Sequence, residues 1–432
     1  MLNGSTSCKK LLLPYFSVYQ LSSIGVKMPF SIKVIFYRIL MVLLKFVTVF
    51  IPAPKPTIYS GAGSAKKMCS TISHFGADKL LIVTDSMLVK IGVVEEITAE
   101  LERLGIQYVV FDEILPDPSY GLVEKGVQVA LENQATGILA IGGGSPIDAA
   151  KVIAARATNS KSIKELTGIL KVKQPCLPLF VVPTTAGTGS ETTIAAVVSN
   201  PSTNQKTPVI DPKLVPVAAA LDPTLMLGLP PAITAATGMD ALTHAVESYL
   251  SKHAAPDTDH YALAAVKMIM KNLPICYEDG KNIEARESMA LASFYAGAAF
   301  TKANLGYVHA IAHQFGAYYH TPHGLANAIV LPYVLEYSLP AAHKRLAQLA
   351  IAIDLGVEGE PHAVLAQRFV DAVKQLNEKI GIPSTLEELK SQDVSQIAKG
   401  ALKEAHYLYP VPRYMDKSQC EQIIRDMLPA SV

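Results

Sequence analysis

The stretch GILAIGGGSPIDAAK, residues 137–151, decides the fold of this chain. Residues 137–141 are apolar and short, as in a strand buried on both faces of a sheet. Gly142, Gly143 and Gly144 follow, and Ser145-Pro146-Ile147-Asp148 opens a helical run whose first turn suits Pro146. Glycines between strand and helix let backbone N–H groups approach a phosphate, and the helix N-terminus favours the anion. The spacing is not GxGxxG, and a plain tight turn is the competing reading of the same residues.

The alternation extends outward in both directions. From about residue 57 to 222, the apolar runs 79–84 (KLLIVT), 108–111 (YVVF), 137–141 and 179–182 (LFVV) alternate with helical periodicity over 93–104 and 122–134. This pattern predicts a parallel sheet with helices on both faces, a Rossmann-like α/β domain whose ligands collect at the carboxyl ends of the strands. Two further strand ends carry chemistry. Asp85 follows the run 79–84; it can accept hydrogen bonds from adenosine ribose hydroxyls and would repel a 2′-phosphate, while capping the next helix is its alternative role. VPTTAGTGSE (182–191) supplies Thr184, Thr185 and Thr188, hydroxyls able to line a diphosphate or nicotinamide, or to cap a helix.

A chain of 432 residues, half of them apolar, is long enough for two cored domains. The formal net charge of +1 offers no electrostatic argument for nucleic acid. Cys8, Cys69, Cys176, Cys276 and Cys420 are odd in number and widely spaced. They argue for a reducing, cytoplasmic setting and against a disulfide framework or a thiolate metal site.

Beyond Pro230-Pro231 the strand signal fades, and 232–250, 257–272, 285–302 and 363–380 carry helical spacing. This helical half contains TGMDALTHAVE and GYVHAIAHQFGAYYHTPHGLANA. Asp240 and His244 stand four apart on one helix face, as do His309 and His313, and His323 follows. One carboxylate with imidazoles and no thiolate suits Fe²⁺, Zn²⁺ or a similar divalent ion. Five candidates exceed what a catalytic site with an open position needs, so one of the later histidines is expected to act without binding the ion.

The first 51 residues read as an extension. Residues 1–27 lack a clear period, and Met28 offers an alternative start. Residues 31–51 (SIKVIFYRILMVLLKFVTVFI) are apolar, with Lys33, Arg38, Lys45 and Thr48 gathered in one arc of a helical wheel. In a transmembrane span Arg38 and Lys45 would sit at mid-depth, each costing roughly 2.5–3.5 kcal/mol. No small-residue cleavage site follows either. The segment is therefore expected to be an amphipathic helix with a cationic face, lying on the inner face of a membrane or docked on the protein's own body or a second subunit. Pro52, Pro54 and Pro56 end it.

Taken in order, TDSML, GGGSPIDAAK, PTTAGTGSE, ATGMDALTHAVE and GYVHAIAHQFGAYYHTPHGLANAI resemble the motifs of the iron-containing (group III) alcohol dehydrogenases, over nearly the whole chain after residue 57. The resemblance implies the dehydroquinate synthase-like fold of that family: an α/β dinucleotide-binding domain (52–226), an all-α domain (227–432) and a catalytic metal in the cleft between them. It implies an NAD-dependent dehydrogenase or aldehyde reductase of small primary alcohols, assembled as a homodimer or larger homo-oligomer, holding Fe²⁺ with Zn²⁺ or Mn²⁺ as alternatives. By position the ligands would be Asp240, His244, His309 and His323, with His313 passing a proton beside the nicotinamide. Gly143, Gly144 and Ser145 would hold the diphosphate, and Thr184, Thr185 and Thr188 the diphosphate or nicotinamide. Asp85 and Lys206 would reach the riboses, and Phe300 would wall the alcohol pocket. The implied metal activates the alcohol oxygen while hydride passes to NAD. Two departures from the family pattern stand out. Asp117, in PDPS, occupies a place near cofactor and substrate where many members have asparagine, and YLYPVPR (407–413) replaces a smaller asparagine–proline–arginine segment. A polyol dehydrogenase or metal-free reductase of the same superfamily, and a membrane-peripheral scaffold with an inactive body, are the alternatives.

Overall fold

The computed structural model describes residues 29–48, 54–200 and 205–429. Strands β1 (Thr57–Ser60), β2 (Lys79–Val83), β3 (Gln107–Phe111), β4 (Gly137–Gly142), β5 (Leu179–Pro183), β6 (Ala195–Asn200), β7 (Gln205–Ile210) and β8 (Ala218–Leu221) belong to the N-terminal half. All but β6 and β7 join one six-stranded sheet in the order β1-β8-β5-β4-β2-β3, every pairing parallel. β6 and β7 form an antiparallel hairpin beside it.

Side-chain alternation along each strand sends neighbours to opposite faces of the sheet. Leu81, Val83, Ile138, Ala140 and Val181 pack against Val123, Val127, Ile147 and Ile153 from two helices on one face. Leu80, Ile82, Leu139, Ile141 and Phe180 pack against Met68, Ile72, Ile97 and Leu101 on the other. These faces are covered by α2 (Ser64–Ile72) and α3 (Val93–Arg103) on one side, and by α4 (Tyr120–Glu132) and α5 (Gly144–Thr158) on the other. α4 starts two residues before its periodicity suggests, because the Ser119 hydroxyl accepts the N–H of Leu122. β8 has the sequence AAAL, with little intrinsic strand preference; it forms because it is enclosed between β1 and β5, where small side chains fit both faces.

The C-terminal half is helical: α6 (Pro231–Leu250), α7 (Pro256–Glu278), α8 (Ile283–Ala303), α9 (Tyr307–Tyr319), α10 (His323–Ala352), α11 (His362–Lys379), α12 (Val394–Leu408) and α13 (Lys417–Arg425). α7 runs past residue 272 and through Pro274, since buried Leu273 and Cys276 keep its last turns packed. The halves meet at a contact only glycine allows. Gly189, at φ +61°, lies so close to α8 that a Cβ on it would sit 2.6 Å from Gly297 Cα.

The N-terminal extension supplies α1 (Phe30–Thr48); residues 1–28 and 49–53, with Pro52, lie outside the described residues. Its cationic arc does not simply face outward. Tyr37 and Met41, in line between Lys33 and Lys45, are buried against the helical half. Lys45 Nζ donates to Lys252 O (3.1 Å), and His253 Nε2 bonds Met41 O (2.8 Å). The Tyr37 ring lies 4.7 Å from His406, 5.4 Å from Tyr407 and 5.5 Å from Tyr414. Ring pairs of this kind each contribute roughly 0.5–1.5 kcal/mol beyond burial, so the helix is docked on the protein's own body.

Candidate active site

At the carboxyl ends of β4 and β5 the two glycine-bearing loops meet. α5 begins after Gly143 with no side-chain cap, which leaves the N–H groups of its first turn for an anion. A Cβ on Gly144 would lie 2.8 Å from Thr188 Cγ2, and one on Gly143 would lie 3.2 Å from Thr185 Oγ1. Thr184 is buried at the end of β5, its N–H donating to Gly142 O (3.0 Å), and Ser145 sits in the first turn of α5. Asp85 caps the short helix Ser86–Lys90: its Oδ1 accepts the N–H groups of Met87 and Leu88, both at 3.0 Å. The capping role and a ribose role are compatible, because both bonds use Oδ1 and leave Oδ2. A cavity of about 420 Å³ lined by Leu88, Ile91, Val93, Thr184 and Leu225 lies alongside.

Polar groups rivet this region together. Lys151, fully buried on α5, donates to Thr193 O, Thr193 Oγ1 and Ala195 O, each at 2.8 Å. Burial pushes its ammonium down from 10.5 to about 8. Asp148 accepts from Ser190 Oγ and from Val197 N (2.8 Å). The helix of GGGSPIDAAK is thus tied to PTTAGTGSE and to the β6–β7 hairpin. That hairpin carries Lys206, whose Nζ pairs with Asp117 (2.6 Å). Asp117 sits at φ +54°, a conformation in which asparagine or aspartate is the usual non-glycine residue.

Opposite this edge, the Nε2 atoms of His244, His309 and His323 lie 3.9, 3.7 and 3.5 Å from Asp240 Oδ1. α6 brings Asp240 and His244 to one face, α9 brings His309, and His323 opens α10. Ligand atoms of Asp240, His244 and His309 all fall within 4.8 Å of one another. His323 stands outside that tight trio, tied to it through Asn327, whose Nδ2 donates to Asp240 Oδ1 (2.7 Å) and lies 3.2 Å from His323 Nε2. His309 Nε2 and His244 Nδ1 are buried with no hydrogen-bond partner. A divalent cation beside Asp240 would supply what the orphaned His309 Nε2 lacks, so the residues fit a metal.

The electrostatics agree with that fit. Burial pushes His244 down to about 4 and His323 well below its ordinary 6.5, so both keep a free lone pair at neutral pH. Burial would raise the Asp240 carboxyl, but the imidazoles of His244, His323 and His309 outweigh it and hold it well below the usual range. For His309 burial is likewise outweighed, here by Asp240 and Glu247, which raise its pKa to about 9, so an ion bound there would displace a proton from its Nε2. Glu247 is the group behind this: its Oε2 lies 2.6 Å from His309 Nδ1 and accepts Gly306 N (2.9 Å), and Oε1 accepts Val308 N (2.7 Å). Phe300 stacks on His244, with centroids 4.2 Å apart.

His313 is placed differently. Its Nδ1 bonds Glu404 Oε1 (2.7 Å), which also accepts the Tyr409 hydroxyl (2.5 Å), and its ring stacks on His323 at 5.3 Å. Sequence reading missed Glu247, Asn327, Glu404 and Lys151. Glu247, three residues after His244 and seven after Asp240, and Asn327, four after His323, could have been found by helical phase. Glu404 lies 91 residues from His313 and had no such signal.

A doubly wound sheet facing a helical cluster of one carboxylate and three imidazoles defines a nucleotide-dependent metalloenzyme class. Residues 54–223 match the iron-containing alcohol dehydrogenase family, and residues 234–428 match the C-terminal part of the Fe-containing alcohol dehydrogenase family. The chain belongs to the iron-containing alcohol dehydrogenases. It is 39% identical to the NAD-dependent methanol dehydrogenase of Bacillus methanolicus over 88% of this chain and 99% of that protein. It resembles the crystal structure of a 1,3-propanediol oxidoreductase, with 38% identity and a TM-score of 0.85 over 88% of this chain and 100% of that one. It also resembles the NAD⁺ complex of sulfoacetaldehyde reductase from Bifidobacterium kashiwanohense, with 29% identity and a TM-score of 0.80 over 88% and 98% of the two chains.

Proposed function

We propose that the protein is an NAD-dependent, metal-dependent dehydrogenase that interconverts small primary alcohols and aldehydes. One observation carries the reading: three imidazoles surround one buried carboxylate, with His309 Nε2 orphaned beside it, opposite an uncapped helix N-terminus. Asp240, His244, His309 and His323 would hold the ion, Fe²⁺ by family, with Zn²⁺ or Mn²⁺ compatible with the same donors. Gly143, Gly144, Ser145, Thr184, Thr185 and Thr188 would hold the diphosphate and nicotinamide end of NAD, with Asp85 and Lys206 at its riboses. When bound, the ion polarises the substrate oxygen and NAD exchanges hydride with the substrate carbon.

The chain's own residues prepare that exchange. Glu247 accepts the Nδ1–H hydrogen bond of His309, which leaves Nε2, on the Asp240 side, as the ring atom that would hold the ion. Glu404 does the same for His313, leaving its Nε2 to take a proton from a hydroxyl in the cleft and pass it outward. Phe300 on His244 keeps the pocket wall apolar and excludes water from that side. Asp117, paired with Lys206, sets the polarity at the cofactor side of the pocket. A cytoplasmic location, a homodimer or larger homo-oligomer, and peripheral membrane contact through residues 31–51 complete the proposal.

Apo-protein reconstituted anaerobically with Fe²⁺, Zn²⁺ or Mn²⁺ is expected to oxidise NADH with short aldehydes. The likeness to a 1,3-propanediol oxidoreductase puts short diols in the same screen. No turnover with any of these ions would sink the reading.

A further inference from the structure

Helix α1 has two apolar sides, and the fold uses one. Tyr37, Leu40 and Met41 are buried, Tyr37 in the core of the helical half and Met41 beside His253. On the opposite side Ile32, Ile35, Phe36, Ile39, Val42 and Leu43 are 39–68% exposed. At about 100° per residue these six occupy a continuous arc of about 120° with no charged residue in it. Arg38 borders the arc on one side and Lys33 on the other. Large apolar side chains gathered on one exposed face mark an interaction surface.

Charge selects the occupant. Residues 1–55 contain Lys9, Lys10, Lys27, Lys33, Arg38, Lys45 and Lys55 and no acidic residue; the first is Asp78. This +7 segment sits on a chain of net charge +1, so the remainder carries −6. A two-fold contact through α1 would bring two such cationic segments together, whereas an anionic surface attracts them.

We propose that α1 docks the enzyme on an anionic phospholipid bilayer, its outer arc reaching the acyl boundary and Lys33 and Arg38 lying among the headgroups. This deepens the membrane contact proposed above and is independent of the dehydrogenase chemistry. The inner side of α1 grips α12 through Tyr37 and His406, so the bilayer meets the helical half in one fixed orientation.

The test is flotation of the full-length protein with vesicles of phosphatidylcholine and phosphatidylglycerol at about 3:1, against phosphatidylcholine alone. Each cation near an anionic surface contributes about fivefold to partitioning. The bound fraction is therefore expected to be at least tenfold higher on the anionic vesicles, and to fall steeply in about 0.5 M salt. The double variant Ile39→Asp/Leu43→Asp is expected to lose binding with its thermal midpoint and NADH-linked activity unchanged, because both side chains point away from the body. Wild-type protein that ignores both vesicle types would overturn the proposal. So would a double variant that still floats, which would move the contact off this face. A double variant whose only change is a smaller assembly would place a second copy there instead.

Discussion

Replacing Glu247 by glutamine tests the link between the buried carboxylate and the metal site. Glu247 accepts three hydrogen bonds, from His309 Nδ1, Gly306 N and Val308 N, and only an ionised carboxylate can accept all three. Glutamine keeps the volume, but its amide nitrogen must face one of these donors. If the lost bond is that to His309, the imidazole loses both its tautomeric lock and the negative charge that raises its basicity. A hydrogen bond to a charged group contributes about 1.5–3 kcal/mol, which converts to roughly ten- to a hundredfold in metal affinity. The assay is metal retained by wild type and Glu247→Gln under graded chelator, read by elemental analysis, with circular dichroism confirming the fold. The variant is expected to release its ion at chelator concentrations roughly ten- to a hundredfold lower, and saturating metal should recover most of the turnover. Equal retention by the two proteins would show that His309 does not need Glu247, and would refute the reasoning.

Three further outcomes follow from the same geometry. His313→Gln should lower turnover by about a hundredfold while leaving bound metal unchanged; loss of metal on elemental analysis would make His313 a ligand instead of a proton carrier. Asp85→Gly removes the charge that repels a 2′-phosphate and costs only a few tenths of a kcal/mol as a cap, so the ratio of kcat/KM for NADP over NAD should rise by at least about tenfold; an unchanged ratio would leave Asp85 as a cap alone. Lys151 releases its proton at about 8 in the folded protein and near 10.5 when unfolded. Between those values the unfolded chain binds the extra proton, so this group makes stability rise with pH across that window and contributes no slope below it. Urea midpoints at pH 7.5 and about 9.5 should therefore diverge more in wild type than in Lys151→Met, and identical slopes would contradict the assignment.

Local spacing explains why much of this was legible. GGGSPIDAAK lies within one strand–turn–helix unit, and Asp240 with His244 lies within one helix turn, so period alone places these residues on common faces. Four of the long helices of the C-terminal half were legible for the same reason, to within a few residues at most ends, whereas the longest, α10, was not read as a helix. β8 was not legible, because three alanines have no strand preference until β1 and β5 close around them. Nor was the polarity of α1. A helical wheel finds its cationic arc, but that arc also contains Tyr37 and Met41, and only the position of His253, His406 and Tyr414 decides that these two turn inward while Lys33 and Arg38 stay exposed.

The chain in isolation therefore settles most of the elements and the chemistry of each motif, since both depend on residues within a turn or two of one another. It names five candidate groups, one carboxylate and four histidines, but cannot rank them. Tertiary packing does the ranking. It brings Glu247 to His309 and Glu404 to His313 across 62 and 91 residues, and these two carboxylates give otherwise similar imidazoles different work. A hydrogen bond acts over about 3 Å of space, and at such separations the chain carries no record of it.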